Sequence, residues 1–195
     1  MKIEPLLFVL TMLVPAQAQN ANVSEEERSG GSTRRVGSVL QGGYDKAKWG
    51  MTVDEVKKLY PGGLAKQSDN GGAVYKIRKP AAGVSEGIIT FYFKPKIGLR
   101  SVVVLFTAQG SQVDLERDNF VPPTNEQAAR IVSALRQDLV MKHGKPALEK
   151  EGSANWIGTA GDWIMLRETR EPDGLHTTVG LAYAPAVNVE EAKGP

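Results

Sequence analysis

Two histidines, scattered carboxylates and no cysteine are the groups from which this 195-residue chain could build a reactive site. His143 and His176 show no H-x-x-x-H or H-E-x-x-H spacing, so a metal would need ligands gathered from distant segments. His143 falls where a helix C-terminus favours a cation, and capping is the simpler role. Asp162, Glu168 and His176 lie on neighbouring predicted strands and are the set that could converge, although strand carboxylates usually face solvent. Carboxylate pairing for glycoside hydrolysis is spatial and stays open; Glu149 and Glu151 read as solvated loop residues. Gly-x-Ser-x-Gly is absent, and Ser85, Ser101 and Ser111 have no local partner to activate them. Gly42-Gly43, Gly62-Gly63 and Gly71-Gly72 lack P-loop or dinucleotide spacing and read as turn or linker glycines. The expectation is therefore no catalytic residue, no metal and no cofactor.

The aromatics offer a different chemistry. Trp163 or Trp156 with Arg167 would form the aromatic-plus-Arg set that dominates protein-binding surfaces, if one sheet face is exposed. Alternation over 162–168 puts Trp163, Met165 and Arg167 on one side. Ile164 and Leu166 fall on the other and read as core. The candidate partner-binding residues are Trp163, Arg167 and Trp156, against core packing as the default for tryptophan.

The elements that must position them follow from capping and periodicity. Thr52 and Glu55 form a T-x-x-E capping box, and Met51 with Val56 occupies the positions of a hydrophobic staple. Pro61 and Gly62-Gly63 end that helix after two turns. Strands are predicted over 73–78, 87–93 and 99–106, the last two joined as a hairpin through Lys94-Pro95-Lys96-Ile97-Gly98. A loop from Thr107 to Pro123 leads to Thr124 and Gln127, a second capping box. Ala128, Ile131, Val132, Leu135 and Leu139 make one apolar stripe, and Lys142-His143-Gly144-Lys145-Pro146 closes the helix. Strands are predicted again over 155–158, 162–168 and 175–183, with Leu175, Thr177, Val179, Leu181 and Tyr183 on one face. The fold expected is α+β: two degenerate tandem α-β-β-β units, about 49–107 and 124–184, with an antiparallel sheet and helices on one face.

The ends read differently. Residues 1–18 have the form of a signal peptide, with Lys2, an apolar run from Pro5 to Val14 and Ala16-Gln17-Ala18 before a cleavage point between Ala18 and Gln19. That run is too short to span a bilayer, so no stable membrane span is expected after cleavage. Residues 19–43 offer little apolar surface and read as a disordered linker, and 186–195 as a flexible tail around a domain at 44–185. Lys+Arg 24 against Asp+Glu 22 is too balanced to point to nucleic acid.

The stretch Gly50-Met51-Thr52-x-x-x-Val56 resembles the helix start of two families of small exported bacterial proteins. One is the β-lactamase inhibitor proteins, the other the small outer-membrane lipoproteins that assist barrel assembly. The first resemblance implies two tandem helix-plus-sheet repeats and target binding through a concave sheet face. The chain carries neither the lipidation cysteine of the second family nor the disulfides of the first. The function expected is an exported, periplasmic or secreted, non-enzymatic protein-binding module with an envelope protein as partner, inhibitor-like or assembly-factor-like. The alternatives are a small-molecule or glycan binder with a cleft between the repeats, and a hydrolase with dispersed carboxylates.

Overall fold

A computed structural model describes residues 42–68, 71–81, 85–117 and 119–186. The predicted signal peptide, nearly all of the predicted linker and all but Ala186 of the predicted tail lie outside the described residues.

The chain opens with a two-stranded ladder, β1 (Gly43–Tyr44) against β2 (Ala47–Lys48). Gly43 is required here: a Cβ would sit 2.0 Å from the Ala47 carbonyl oxygen. Helix α1 (Val53–Leu59) begins at the predicted capping box, with Thr52 accepting from the Glu55 amide and Glu55 from the Thr52 amide at 2.7 Å. The Thr52 amide and then the Thr52 hydroxyl, both donating to the Glu55 carboxylate, hold it below its ordinary range. Four strands follow: β3 (Leu64–Gln67), β4 (Ala73–Ala81), β5 (Ser85–Lys94) and β6 (Gly98–Phe106). Helix α2 (Asn125–His143) starts at the Thr124/Gln127 box, and its stripe buries Ala128, Ile131, Leu135 and Leu139. Four more strands complete the chain: β7 (Leu148–Lys150), β8 (Ser153–Ile157), β9 (Trp163–Arg170) and β10 (Thr177–Ala184).

The architecture is mixed α and β, with two helices and one large antiparallel sheet. Its eight strands run β3-β4-β5-β6-β10-β9-β8-β7, so each helix is followed by a four-strand meander and the last strands of the two meanders meet at the centre. Sequence periodicity predicts three strands after each helix. The two it omits, β3 and β7, are the short strands at the sheet's two edges. Leu175, predicted to lie on a strand, is in the turn before β10 and is 68% exposed.

Register explains which side chains are buried. Tyr75, Phe91 and Val102 are successive partners across β4, β5 and β6, as are Ile77, Ile89 and Val104. Val104 continues through Leu181 to Leu166 and Ala154, and Val102 through Tyr183 to Ile164 and Trp156. This inner face, with Val56 of α1 and the α2 stripe, forms one buried cluster. Pairing steps from Tyr92–Ser101 to Phe93–Leu99, leaving Arg100 as the extra residue of a β-bulge. In a regular strand Leu99 and Val102 would face opposite ways; the bulge lets both enter the core.

Backbone contacts tie the helix starts to the sheet. Leu99 donates to the Met51 carbonyl at 2.7 Å, and Gly50 donates to the Leu99 carbonyl at 3.0 Å. Gly98, at φ +83°, permits this approach: a Cβ there would lie 2.2 Å from the Gly50 oxygen. At α2, Asn125 donates to the Leu175 and Gly174 carbonyls and its side-chain oxygen accepts from Thr177 at 2.8 Å.

Candidate outer-face binding site

The pleat that sends one set of residues inward presents the other set on the opposite, outer face. On β9 this outer set includes Trp163, Met165 and Arg167, while Ile164 and Leu166 are buried in the core. Pairing extends the set across the last strands. Trp163 stands opposite Ile157, Met165 opposite Asn155 and then Leu148, and Arg167 opposite Ser153 and then Lys150. The result is a patch of apolar and aromatic side chains bordered by two cations. Ile157 is 42% and Leu148 50% exposed, and Trp163 and Met165 are half-buried.

Of the three residues expected at a binding surface, this arrangement unites Trp163 and Arg167 and excludes Trp156. Trp156 is 1% exposed, belongs to the inner face and donates its indole N–H to the Gly144 carbonyl at 2.9 Å. Its neighbour Ile157 takes the outer position instead. Ile157, Leu148 and Asn155 were not distinguishable as surface residues without the β7–β8–β9 register, because five- and three-residue strands leave parity undetermined.

The outer face differs between the two meanders. Lys66 and Arg78 belong to the outer set of β3 and β4. Lys66 donates to the Glu116 carbonyl at 2.6 Å, and Arg78 to the Ser111 carbonyl at 3.0 Å and to the Glu86 carboxylate. The segment after β6 thus engages side chains of that end of the face. A bridge between Asp114 and Asn119 turns the segment back on itself.

The residues weighed for catalysis do not assemble. Asp162 precedes β9 and His176 precedes β10, at opposite ends of the β9–β10 pair, so roughly 25 Å of strand separates them. His176 is engaged locally: its Nδ1 lies 2.7 Å from Asp173, whose other oxygen accepts from the Leu175 and His176 amides. The His176 contact, then the two amides, hold the Asp173 carboxyl below its ordinary range. Burial, then the neighbouring Lys142, lowers the pKa of His143, which opposes the cationic role its place in the last turn of α2 suggests. Among the described residues no group of three or more His, Asp or Glu could hold a metal ion, and no helix is long and apolar enough to cross a membrane.

A shallow hollow of about 350 Å³ lies where α1 starts, lined by Gly50, Thr52, Val53, Ala73, Phe93 and the β5–β6 turn. It sits within the first meander, not between the two. Its Thr52 hydroxyl is committed to the capping box. No family model matches the chain, and no curated protein or solved structure matches it.

Proposed function

We propose that this chain is an exported, non-enzymatic envelope protein that binds another protein through the outer face of its sheet, as an inhibitor or an assembly factor. The observation that carries the reading is the Trp163–Met165–Ile157–Leu148 patch, which faces away from the core although the same strands supply a filled inner face. Aromatic and aliphatic side chains beside an Arg suit a desolvated binding centre. The element order supports reading the domain as two tandem helix-plus-meander units. The buried cluster shared by α1, α2 and the inner sheet face supports helices covering that one face. Such an arrangement leaves the β7–β9 part of the outer face for a partner, while Ile88, Thr90, Ala182 and Ala184 of the central strands' outer set are buried. The signal-like segment at 1–18 supports export.

A photo-crosslinking residue placed at Ile157, and separately at exposed Arg130 on α2, tests this in the cells that make the protein. One dominant protein crosslinked from Ile157, not from Arg130, and lost on Trp163→Ala is the expected outcome. Equal labelling from both positions, or capture insensitive to Trp163→Ala, rejects the outer face as the binding surface.

A further inference from the structure

We infer that the hollow at the start of α1 is a second binding site, for a small amphiphilic anion. The apolar body of the ligand lies on the hollow's floor, and its charge meets Lys94 and Lys96. The site is separate from the outer-face patch and does not depend on it. Charge is unevenly spread along the chain. Residues 42–106 hold 11 Lys and Arg against 5 Asp and Glu, whereas residues 107–186 hold 8 against 11. The hollow lies in the basic part, so its surroundings favour an anion.

The floor is apolar. Phe93, which is buried, and half-buried Val53, Ala73 and Ile97 line it. Bare backbone keeps the space open. A Cβ added at Gly50 would meet only the Ile97 carbonyl oxygen, at 3.7 Å, and one at Gly71 only Pro95, at 3.9 Å. The volume of about 350 Å³ equals that of roughly a dozen water molecules, which suits a ligand of about ten non-hydrogen atoms.

The rim supplies the charge. Lys94 and Lys96 line the hollow, are exposed, and make no ion pair among the described residues. Lys96 holds φ +62°, a left-handed conformation that residues other than glycine and asparagine rarely adopt. Turn geometry favours Gly or Asn at such a position, so the lysine is explained by its side chain and not by the backbone. The acids of the same unit do not cancel the pair. Asp54 lies 3.5 Å from Lys57, and Glu55 accepts from the Thr52 amide and hydroxyl. Glu86 pairs with Arg78, and Asp45 accepts from Tyr60. Asp69, included in the count of five, lies outside the described residues. Among the described residues no carboxylate lines the hollow. An anionic head therefore gains two charge-assisted contacts that a neutral ligand of the same shape does not.

The test titrates the full mature chain, labelled with nitrogen-15, with 3-phenylpropionate, octanoate and phenyl phosphate. The neutral 3-phenylpropanol and phosphatidylglycerol vesicles are the comparison probes. Saturable shifts of the Gly50, Gly71 and Gly98 amide signals are expected with at least one anion. Affinity is expected to fall severalfold for 3-phenylpropanol, in Lys94→Gln/Lys96→Gln, and as salt rises. Val53→Phe, which fills the floor, is expected to weaken binding further, and circular dichroism confirms that each variant is folded. No saturable shift with any of the three anions overturns the inference, as does equal affinity for the alcohol or an unaffected lysine variant. Shifts confined to other amides also overturn it. Sedimentation with vesicles in place of binding to the soluble probes overturns it in favour of a lipid surface. Trp163→Ala should leave the titration unchanged, so the hollow and the outer-face patch stand or fall separately.

Discussion

The first meander, β3–β6, is filled by aromatic rings, whereas the second, β7–β10, meets the aliphatic stripe of a long helix. Phe91 lies 6.2 Å from Tyr44, 5.1 Å from Tyr60 and 6.2 Å from Tyr75, ring centre to ring centre. The Tyr75 and Tyr60 hydroxyls pair with loop groups: Gly63 donates to Tyr75 at 2.9 Å, Tyr75 donates to the Tyr60 carbonyl, and Tyr60 accepts from the Lys46 amide at 3.0 Å and donates to the Asp45 carboxylate at 2.9 Å. Helix α1 has seven residues and buries only Val56, so large rings must occupy volume that a helix would otherwise fill. Helix α2 has nineteen residues and contacts β9 and β10 through four buried apolar side chains, and the large rings on that side are Trp156 and Tyr183, the latter 4.9 Å from Tyr44. One sheet can therefore be covered by two packing chemistries. The aromatic one brings polar hydroxyls into the core, which must be matched by specific acceptors.

The largest expected effects come from removing the big ring on each side. Phe91→Ala and Trp156→Ala should each cost about 3–5 kcal/mol in urea unfolding. Trp163→Ala, half-buried on the outer face, should cost less than either. That contrast would fail if Trp163 were structural. The milder pair Phe91→Leu and Trp156→Phe sharpens the comparison. Three strands separate the sites, so their effects should add within about 0.5 kcal/mol if the two packings are independent. A larger discrepancy would show that the sheet couples them.

Next in size is Gly98→Ala, which combines left-handed strain with a clash against the Gly50 backbone and should cost about 2 kcal/mol or more. No glycine does equivalent work at the start of α2, where backbone amides and the Asn125 side chain make the attachment. Smaller still are the capping boxes. Thr52→Ala and Thr124→Ala should each cost about 1 kcal/mol, measured by the shift in denaturation midpoint at constant slope.

The tyrosine cluster and the end of α2 give pH dependences of opposite direction. Burial, then the Asp45 hydrogen bond, pushes Tyr60 up to about 12, and burial also raises Tyr44 and Tyr183. A raised folded pKa gives stability that is complete below the ordinary tyrosine value of about 10 and lost as pH rises through about 12. Tyr60→Phe should therefore flatten part of the alkaline loss seen by absorbance titration and circular dichroism. His143, at the end of α2, has a lowered folded pKa. Its contribution is complete above the ordinary histidine value of about 6.5 and is lost as pH falls toward the folded value. His143→Gln should remove part of the acid loss and leave the alkaline limb unchanged.

Both helix starts were legible because a capping box is a local signal that needs only four residues. The long strands were legible because alternation over seven or more residues identifies their faces, as with Ile164 and Leu166 against Trp163 and Arg167. The edge strands were not. Leu64-Ala65-Lys66-Gln67 and Leu148-Glu149-Lys150 are too short to show a period and become strands by pairing with β4 and β8. Trp156 was misplaced for the same reason: parity in a five-residue strand depends on its register with β9, which no local pattern encodes. The bulge at Arg100 is also non-local, since it corrects the phase of β6 against β5.

The pairing of β6 with β10 has a consequence for how the domain forms. The strand made last joins the two meanders, with Gly180–Tyr183 seated on Val102–Leu105, while its other edge holds β9. A chain that ends before Thr177 leaves the β-branched run Val102-Val103-Val104 as an unpaired strand edge, the kind of template that recruits other chains. Contacts of such long sequence separation form slowly, because a loop of some seventy residues must close first. The domain is thus aggregation-prone until synthesis is complete, and a holding factor that masks β6 would act on the nascent chain rather than on the finished fold.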